Sequence, residues 1–458
     1  MFLRPQCLPL FLGAFVALGF TQIAQSESLK EALGIAYEGN PTLLAKRAEL
    51  RATDEGVSQA ISQWRPSLTA SGSSGKSETT LSTRTESKLH FNPHSASLTL
   101  SQSLYSGGKT VAAIGSAENA VLAGRAALLG VEQTVLLDAV KAYVNVYRSS
   151  AVLDLRINNE AVLKRQLEAT SDRFQVGEIT RTDVNQAEAR LAKTTADRIQ
   201  AEGDLVTSRA TYQNVIGKVP VNLGSPTMEL NLPSSAEEAI KLALAQNPDV
   251  VGAEFNQRAS ENNINTVKSE LLPSLDLTGT ASRSLNASGL KTSLETYSAK
   301  LTLSMPLYNS GSVYSRLRSA RQTAAKRMRE IDTARRKTTE SATRAWQTLQ
   351  TSRARIDSIN VQIRASEVAL EGVQREASVG SRTVLDVLDA EQELLDAKVS
   401  IVTAKRDETI AKFELKSAIG ELTATQLDLP VVAYNSLEHY NDVRLKLFGG
   451  SIGKSGQK

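Results

Sequence analysis

The sequence predicts a mixed fold: long coiled-coil-like helices that build a helical barrel, and membrane β-hairpins that build a shared transmembrane β-barrel with four strands from each chain. An internal duplication and long helical stretches with a seven-residue apolar repeat support the helical part. Segments of about ten residues in which apolar and hydroxyl side chains alternate support the barrel. Only 5% of the 458 residues are aromatic, which suits long helices better than a large globular core.

The N-terminal segment has the parts of a secretory signal peptide. Arg4 precedes an apolar run from Leu8 to Phe20, and Ala24-Gln25-Ser26 offers a cleavage site of the small-x-small type. We therefore expect residues 1–26 to be removed, so that the mature chain begins at Glu27. The apolar run is too short for a membrane anchor.

The single cysteine, Cys7, precedes the apolar run, where it cannot serve as a lipid attachment site. The mature chain is therefore expected to contain no disulfide. After the signal segment no stretch approaches 18 consecutive apolar residues, so the sequence argues against membrane-spanning helices.

The mature chain consists of two copies of one repeat, residues 27–217 and 236–420, joined by a linker at 218–235. Asn40-Pro41 recurs as Asn247-Pro248, and Pro66-Ser67-Leu68 recurs as Pro273-Ser274-Leu275. The offset of 207 becomes 203 further along, where Tyr105 matches Tyr308, Gly177 matches Gly380, Asp183 matches Asp386 and Gly217 matches Gly420. Residues 421–458 form a tail that we expect to be partly disordered.

Each copy is expected to begin with a helix of about 35 residues, at 29–64 and 236–272, stopped by Pro66 and Pro273. A hairpin follows, and then a very long helix at 109–175 and 312–378. Glycine turns separate these from a last helix that ends at Gly217 or Gly420. Apolar residues recur every seven positions in these helices, as at Leu122, Leu129, Leu136 and Tyr143. This spacing predicts coiled-coil-like packing, which a simple coiled-coil rod would also show.

The hairpins, at about 67–105 and 274–308, distinguish a channel from a rod. Residues 95–105, 274–284 and 297–307 alternate between apolar and mostly hydroxyl side chains, as a tilted membrane strand requires. Residues 73–94 and 284–296 are expected to be external loops. Four strands cannot close a barrel and lipid tolerates no open sheet edge, so several chains must contribute, two for eight strands or three for twelve.

These segments resemble the TolC family of outer-membrane efflux and secretion ducts. The resemblance rests on the duplicated Asn-Pro helix start, the Pro-Ser-Leu entry to the hairpins, Leu-Tyr-Ser-Gly-Gly at 104–108 and the stretch 379–391. It implies a homotrimer with twelve barrel strands in the outer membrane and a long periplasmic tunnel. It also implies a passive duct for drugs, other toxic compounds or secreted proteins, which opens when an inner-membrane transporter of the RND or ABC type and a periplasmic adaptor dock.

The resemblance further implies site residues at the periplasmic tip. Asp386 and Asp389 match aspartates that form acidic rings at the pore constriction, and Arg382, Thr182 and Asp183 match polar residues that hold neighbouring helices closed. Ala377 stands where a relative has a tyrosine, so one contact of that latch is in doubt.

The residues themselves support two roles for the aspartates. Asp386 and Asp389 are three apart and share a helix face, and threefold symmetry would place six carboxylates around a pore, which favours cations. Thr383-x-x-Asp386 and Thr180-x-x-Asp183 also fit capping boxes, so helix capping remains an alternative for Asp386 and Asp183.

No nucleophile motif, phosphate-binding loop or metal-ligand cluster is apparent, so we expect neither an enzyme nor a cofactor. His90 and His94 lie in a predicted external loop. Basic and acidic residues, 53 and 49 in number, are well mixed, which gives nucleic-acid binding little support. A periplasmic coiled-coil adaptor without a pore is the alternative function, and the alternating strands argue against it.

Overall fold

The computed structural model describes residues 27–82, 86–287 and 292–450, so the expected signal peptide lies outside the described residues. The first copy contains α1 (Leu29–Gly39), α2 (Pro41–Ser62), β1 (Ser67–Ser74), β2 (Ser77–Ser82), β3 (Glu86–Phe91), β4 (His94–Ser106), α3 (Lys109–Gln175) and α4 (Arg181–Ile216). The second contains α5 (Ala236–Gln246), α6 (Pro248–Ser269), β5 (Ser274–Leu285), β6 (Ser293–Ser304), α7 (Ser312–Ser378) and α8 (Val384–Ala418), and α9 (Glu438–Val443) follows.

The single opening helix predicted for each copy is wrong, because each is two helices that meet at the Asn-Pro pair. Asn40 has an extended backbone, which the following proline favours, and its side chain accepts a hydrogen bond from the Thr42 amide at 2.9 Å. Asn247 caps α6 in the same way through Asp249. The second helix of each pair also ends earlier than predicted, at Ser62 and Ser269, before the prolines.

The four long strands form one antiparallel sheet in the order β1-β4-β5-β6, so the two copies are joined between β4 and β5. The apolar residues of neighbouring strands are opposite one another, as in Leu68 with Leu100 and Leu277 with Leu301. Hydroxyl side chains meet on the other face, where the Oγ atoms of Ser71 and Ser97 are 2.8 Å apart. The predicted alternation therefore gives one apolar and one polar face.

The apolar face of this sheet is open in the single chain. Leu68, Leu301 and Leu303 expose 65%, 59% and 70% of their surface. β1 and β6 are the edge strands and have one hydrogen-bonded neighbour each. Lipid on the apolar face and further chains at the edges would complete the sheet.

The segment 73–94, predicted as an external loop, is more ordered than expected. β2 pairs with β3 in a hairpin that aligns Ser77 with Phe91, and β4 already begins at His94. The connection in the second copy is shorter, from Leu285 at the end of β5 to Ser293 at the start of β6, and its residues 288–291 are not described.

The two longest helices, α3 and α7, have 67 residues each, so each extends about 100 Å at 1.5 Å per residue. By length and composition, one helix of the described chain, α3, could cross a membrane, contrary to our expectation that none would. Of the apolar stretch of this helix 44% is buried inside the protein, and Leu136, Ala139, Val140 and Tyr143 of the same helix are fully buried. The same composition therefore serves a protein core here.

The C-terminal segment, expected to be partly disordered, packs against the first copy in its described part. Leu422, Ala424, Leu427 and Leu429 belong to the largest apolar core, together with α1, α3 and α4. The Ala424 amide donates to the carboxylate of Glu132 at 2.7 Å. The second copy has a smaller core, formed mainly by α5, α7 and α8.

A charge reversal distinguishes the two copies at this contact. In the first copy the guanidinium of Arg47 lies 4.5 Å from the ring centre of Tyr37 and 5.1 Å from that of Tyr434, near Glu132. At the equivalent positions of the second copy Glu254 accepts a hydrogen bond from Arg335 at 2.8 Å. The C-terminal segment thus contacts the carboxylate of Glu132, whereas the equivalent position of the second copy carries the guanidinium of Arg335.

Candidate functional site

The aspartates predicted at the tip lie where the glycine turns lead into α4 and α8. Thr383 precedes α8, and its amide and hydroxyl donate to Oδ2 of Asp386 at 2.9 and 2.8 Å. Thr180 and Asp183 make the same capping box at the start of α4, with distances of 3.0 and 2.7 Å. Capping is therefore a real role of Asp386 and Asp183 in this fold.

The cap also sets the ionisation of Asp386. The hydrogen bond from the Thr383 amide, with further help from the Thr383 hydroxyl and the Arg382 guanidinium, holds the pKa of the Asp386 carboxyl below its ordinary value. Since the hydrogen bonds are made to the charged form, Asp386 remains an anion at lower pH than an ordinary aspartate.

Asp389 lies one turn further along α8 and does not take part in the cap. Its carboxylate accepts a hydrogen bond from Arg190 of α4, and its side chain is 56% exposed. This pair links the last helices of the two copies within one chain. It partly compensates the charge of Asp389, whereas the hydrogen bonds to Asp386 come from the neutral Thr383 and Arg382 acts on Asp386 through its charge alone.

Arg382 bridges the second glycine turn. Its Nε donates to Oε2 of Glu376 at 2.9 Å, which connects the end of α7 with the residues before α8. Thr182 is exposed in the first turn of α4. The carbonyl of Ala377 accepts the Gly380 amide at 3.2 Å, so this residue contributes backbone to the turn.

A small apolar core holds these elements in place. Leu163 of α3, Ala187 of α4, and Val384 and Leu388 of α8 are buried against one another. The starts of α4 and α8 are thereby kept side by side, and Asp389 directly follows the buried Leu388. The tip is thus built jointly by both copies.

Sequence reasoning missed Arg190 and Glu376, the partners of Asp389 and Arg382. Arg190 could have been found from the repeat, because its counterpart in the second copy, 203 residues later, is Glu393. A position where the copies carry opposite charges is a candidate for pairing across them. Of the residues predicted for a loop, His90 lies on β3, 3.5 Å from Glu78. The described residues contain no group of three or more side chains suited to a metal ion.

The long helices and the open four-stranded sheet are those of an outer-membrane channel subunit, and comparison with known proteins agrees. The model of the family described as outer membrane efflux protein matches residues 32–218 and 239–421. The chain belongs to this family, which is the TolC family. It is therefore a subunit of an outer-membrane exit duct and not an enzyme.

Among curated relatives, outer membrane efflux protein BepC of Brucella suis is 34% identical over 93% of both chains. Outer membrane protein TolC of Escherichia coli is 26% identical over 92% of this chain and 87% of its own. The solved channel CmeC of Campylobacter jejuni superposes with a TM-score of 0.78 at 17% identity, covering 92% of this chain and 90% of its own. The structural likeness shows a shared fold, a helical barrel continued by a β-barrel to which several chains contribute.

Proposed function

We propose that three copies of this chain form the duct and that Asp386 and Asp389 make its narrow, cation-selective end. TolC-like channels are trimers that work with adaptor and pump partners, and four strands per chain then give a barrel of twelve. Six carboxylates around a threefold axis would attract cations and repel anions.

The observation that carries this proposal is the cap on Asp386. Capping and ring formation are compatible roles of Asp386, because the cap stabilises the carboxylate in its charged form. Asp389, 56% exposed on the same helix, adds a second carboxylate near the tip. Asp386 can therefore supply a fixed charge while it holds the start of α8.

We further propose that Arg382, Thr182 and Asp183 belong to the latch that keeps the tip closed. Within one chain Arg382 and Asp183 stiffen the two turns, through Glu376 and Thr180. Thr182 is exposed beside them and available to a neighbouring helix. Ala377 carries a methyl group where a relative has a tyrosine. The latch of this chain therefore depends on charged groups and not on a hydroxyl at that position.

The partners are proposed to be a periplasmic adaptor and an inner-membrane transporter of the RND or ABC type. Toxic small molecules are the favoured cargo, because BepC, 34% identical, is named an efflux protein. Protein secretion is the second candidate, since PrtF of Dickeya chrysanthemi, named a proteases secretion protein, is 26% identical over 65% of this chain. Deleting the gene, then measuring drug sensitivity and secreted proteins together, separates the two.

Bilayer conductance tests the constriction. In a salt gradient, the reversal potential of the wild-type channel should indicate cation preference, and Asp386→Asn with Asp389→Asn should move it towards zero. Glu238→Gln is the matched control, because it removes a capping carboxylate at the start of α5 and leaves both the proposed ring residues and the proposed latch residues intact. An unchanged reversal potential in the double variant would rule out the carboxylate ring.

A further inference from the structure

The residues after α9 expose an apolar cluster that no part of the described chain covers. Leu445, Leu447 and Phe448 are 71%, 66% and 89% exposed. Arg444 and Lys446 alternate with them, and the stretch from Val443 to Gly450 contains no acidic residue. Large apolar side chains grouped on a surface usually mark a contact with another molecule or a membrane.

The contacts of α9 show where this cluster lies. His439 pairs with Asp54 in the second half of α2, and Arg444 pairs with Glu118 near the start of α3 at 2.9 Å. Arg65, two residues before β1, donates to the carbonyl of Lys446 at 3.0 Å. The C-terminal segment therefore runs along α2 towards the sheet and ends beside the first residues of a barrel strand.

The same end of the sheet carries an exposed band of aromatic and apolar side chains. Trp64 precedes β1, Tyr105 lies at the end of β4, and Leu307 and Tyr308 follow β6. They are 47%, 49%, 90% and 79% exposed. Amphipathic aromatic side chains at strand ends mark the boundary between lipid and water. This boundary is the inner one, because the strands lead into the periplasmic helices here.

We propose that residues 444–448 are an interfacial membrane anchor that lies in the headgroup region of the inner leaflet, beside the barrel. Leu445, Leu447 and Phe448 enter the boundary between headgroups and acyl chains. A short basic and apolar segment at this level has the chemistry of a lipid contact.

Continuity with the lipid-facing strands favours lipid over a second protein chain. Arg65, which holds the segment, is three residues from Leu68, the first apolar side chain of the exposed face of β1. Arg444 is held by Glu118, so the exposed apolar side chains provide the lipid contact.

A fluorescent label tests the anchor in the assembled channel. Cys7 lies in the expected signal peptide, so the mature chain is expected to contain no cysteine, and Leu447→Cys carries an environment-sensitive NBD group in nanodiscs of phosphatidylethanolamine and phosphatidylglycerol. Val432→Cys is the matched control, because Val432 is an apolar residue of the same segment, 89% exposed, next to Val431, which lies beside Gly34 of α1. Conductance of each labelled protein confirms that the barrel is intact.

Lipids with a nitroxide near the headgroup should quench the label at 447 at least about twofold more strongly than the label at 432. The reason is that interfacial segments insert roughly 5–10 Å below the membrane surface. Quenching at 447 by aqueous iodide alone would overturn the proposal. A label that neither quencher reaches, in nanodiscs and detergent alike, would also overturn it and identify a second copy of the chain as the covering surface. The second measurement is proteolysis in nanodiscs. A triple variant with Leu445→Ser, Leu447→Ser and Phe448→Ser should lose the segment to protease faster than the wild type, whereas Val432→Ser should not.

Discussion

Nδ1 of His439 lies 3.2 Å from a carboxylate oxygen of Asp54, although 385 residues separate them in the chain. Both side chains are buried. The other oxygen of Asp54 has no hydrogen-bond partner, so the imidazole is its main polar contact. This pair fixes α9 to α2 and, through α9, positions the proposed anchor.

Replacing His439 by Leu, which has no hydrogen-bond donor in its side chain, should loosen the C-terminal segment. Loss of the imidazole leaves a buried carboxylate without its partner, which costs about 1–3 kcal/mol. Hydrogen exchange of amides 434–448 should accelerate while exchange in α3 stays unchanged. Adding Asp54→Asn should restore part of the protection, because the uncompensated charge is then gone; a double variant no better protected than the single one would argue against the pair.

The pH dependence of this segment follows from Asp54. Burial raises the pKa of its carboxyl above the ordinary value of 3.8, against an opposing effect of His439. The folded protein thus retains the proton to higher pH than the unfolded chain, so this contribution to stability is complete below pH 3.8 and is lost as pH rises through the raised pKa. Protection of 434–448, corrected for intrinsic exchange, should fall over that window, and Asp54→Asn should flatten the change.

Removal of Arg190 should have the opposite effect to removal of Asp389. Arg190 donates to the Asp389 carboxylate from α4, and Arg190→Gln would leave three uncompensated carboxylates in a trimer. Cation preference in a salt-gradient bilayer should rise, and the rise should shrink at high salt because exposed charges are screened. Arg198→Gln, which breaks contacts with Glu160 and Glu202 further along α4, is the control.

Arg382→Ala should raise the conductance of the closed channel. The pair with Glu376 stiffens the turn before α8, and its loss would let the tip open more often. Arg173→Ala is well matched, because Arg173 donates to Glu178 across the equivalent turn of the first copy at 2.8 Å. Equal conductance of the two variants would remove Arg382 from the latch.

Two glycines at equivalent positions should respond differently to alanine. Gly217 and Gly420 both have positive φ, +89° and +86°, which costs an L-residue about 1 kcal/mol. A Cβ on Gly217 would meet nothing within 4 Å, whereas one on Gly420 would lie 2.7 Å from the carbonyl oxygen of Gln246. Gly420→Ala should therefore lower the melting temperature more than Gly217→Ala, and equal melting temperatures would contradict the close approach.

The sequence predicted the periodic elements well and the local interruptions poorly. The limits of α3 and α7 were correct because a seven-residue repeat and flanking glycines define them. The break at Asn40 was missed because an extended residue before proline changes the chain direction without interrupting the apolar pattern.

Within the site, the capping of Asp386 followed from the threonine three residues earlier, since capping boxes are local. The pairing of Asp389 with Arg190 did not follow from local spacing, because it joins residues 199 positions apart, and only the opposite charge of Glu393 in the second copy points to it. The position of the C-terminal segment was likewise unpredictable from spacing, as it depends on distant partners such as Glu132.

Arg47 and Glu132 of the first copy are replaced by Glu254 and Arg335 in the second. This reversal of charge explains why the duplicated chain is not equivalent to two identical shorter chains. A channel built from six identical subunits, each the length of one copy, would offer six equivalent binding surfaces for its C-terminal segments, or none. By making its halves electrically opposite at this point, the chain accepts its tail on the first half alone. A trimer then carries three C-terminal segments at fixed positions around its circumference. Each lies on a first copy, and the second copies lie between them.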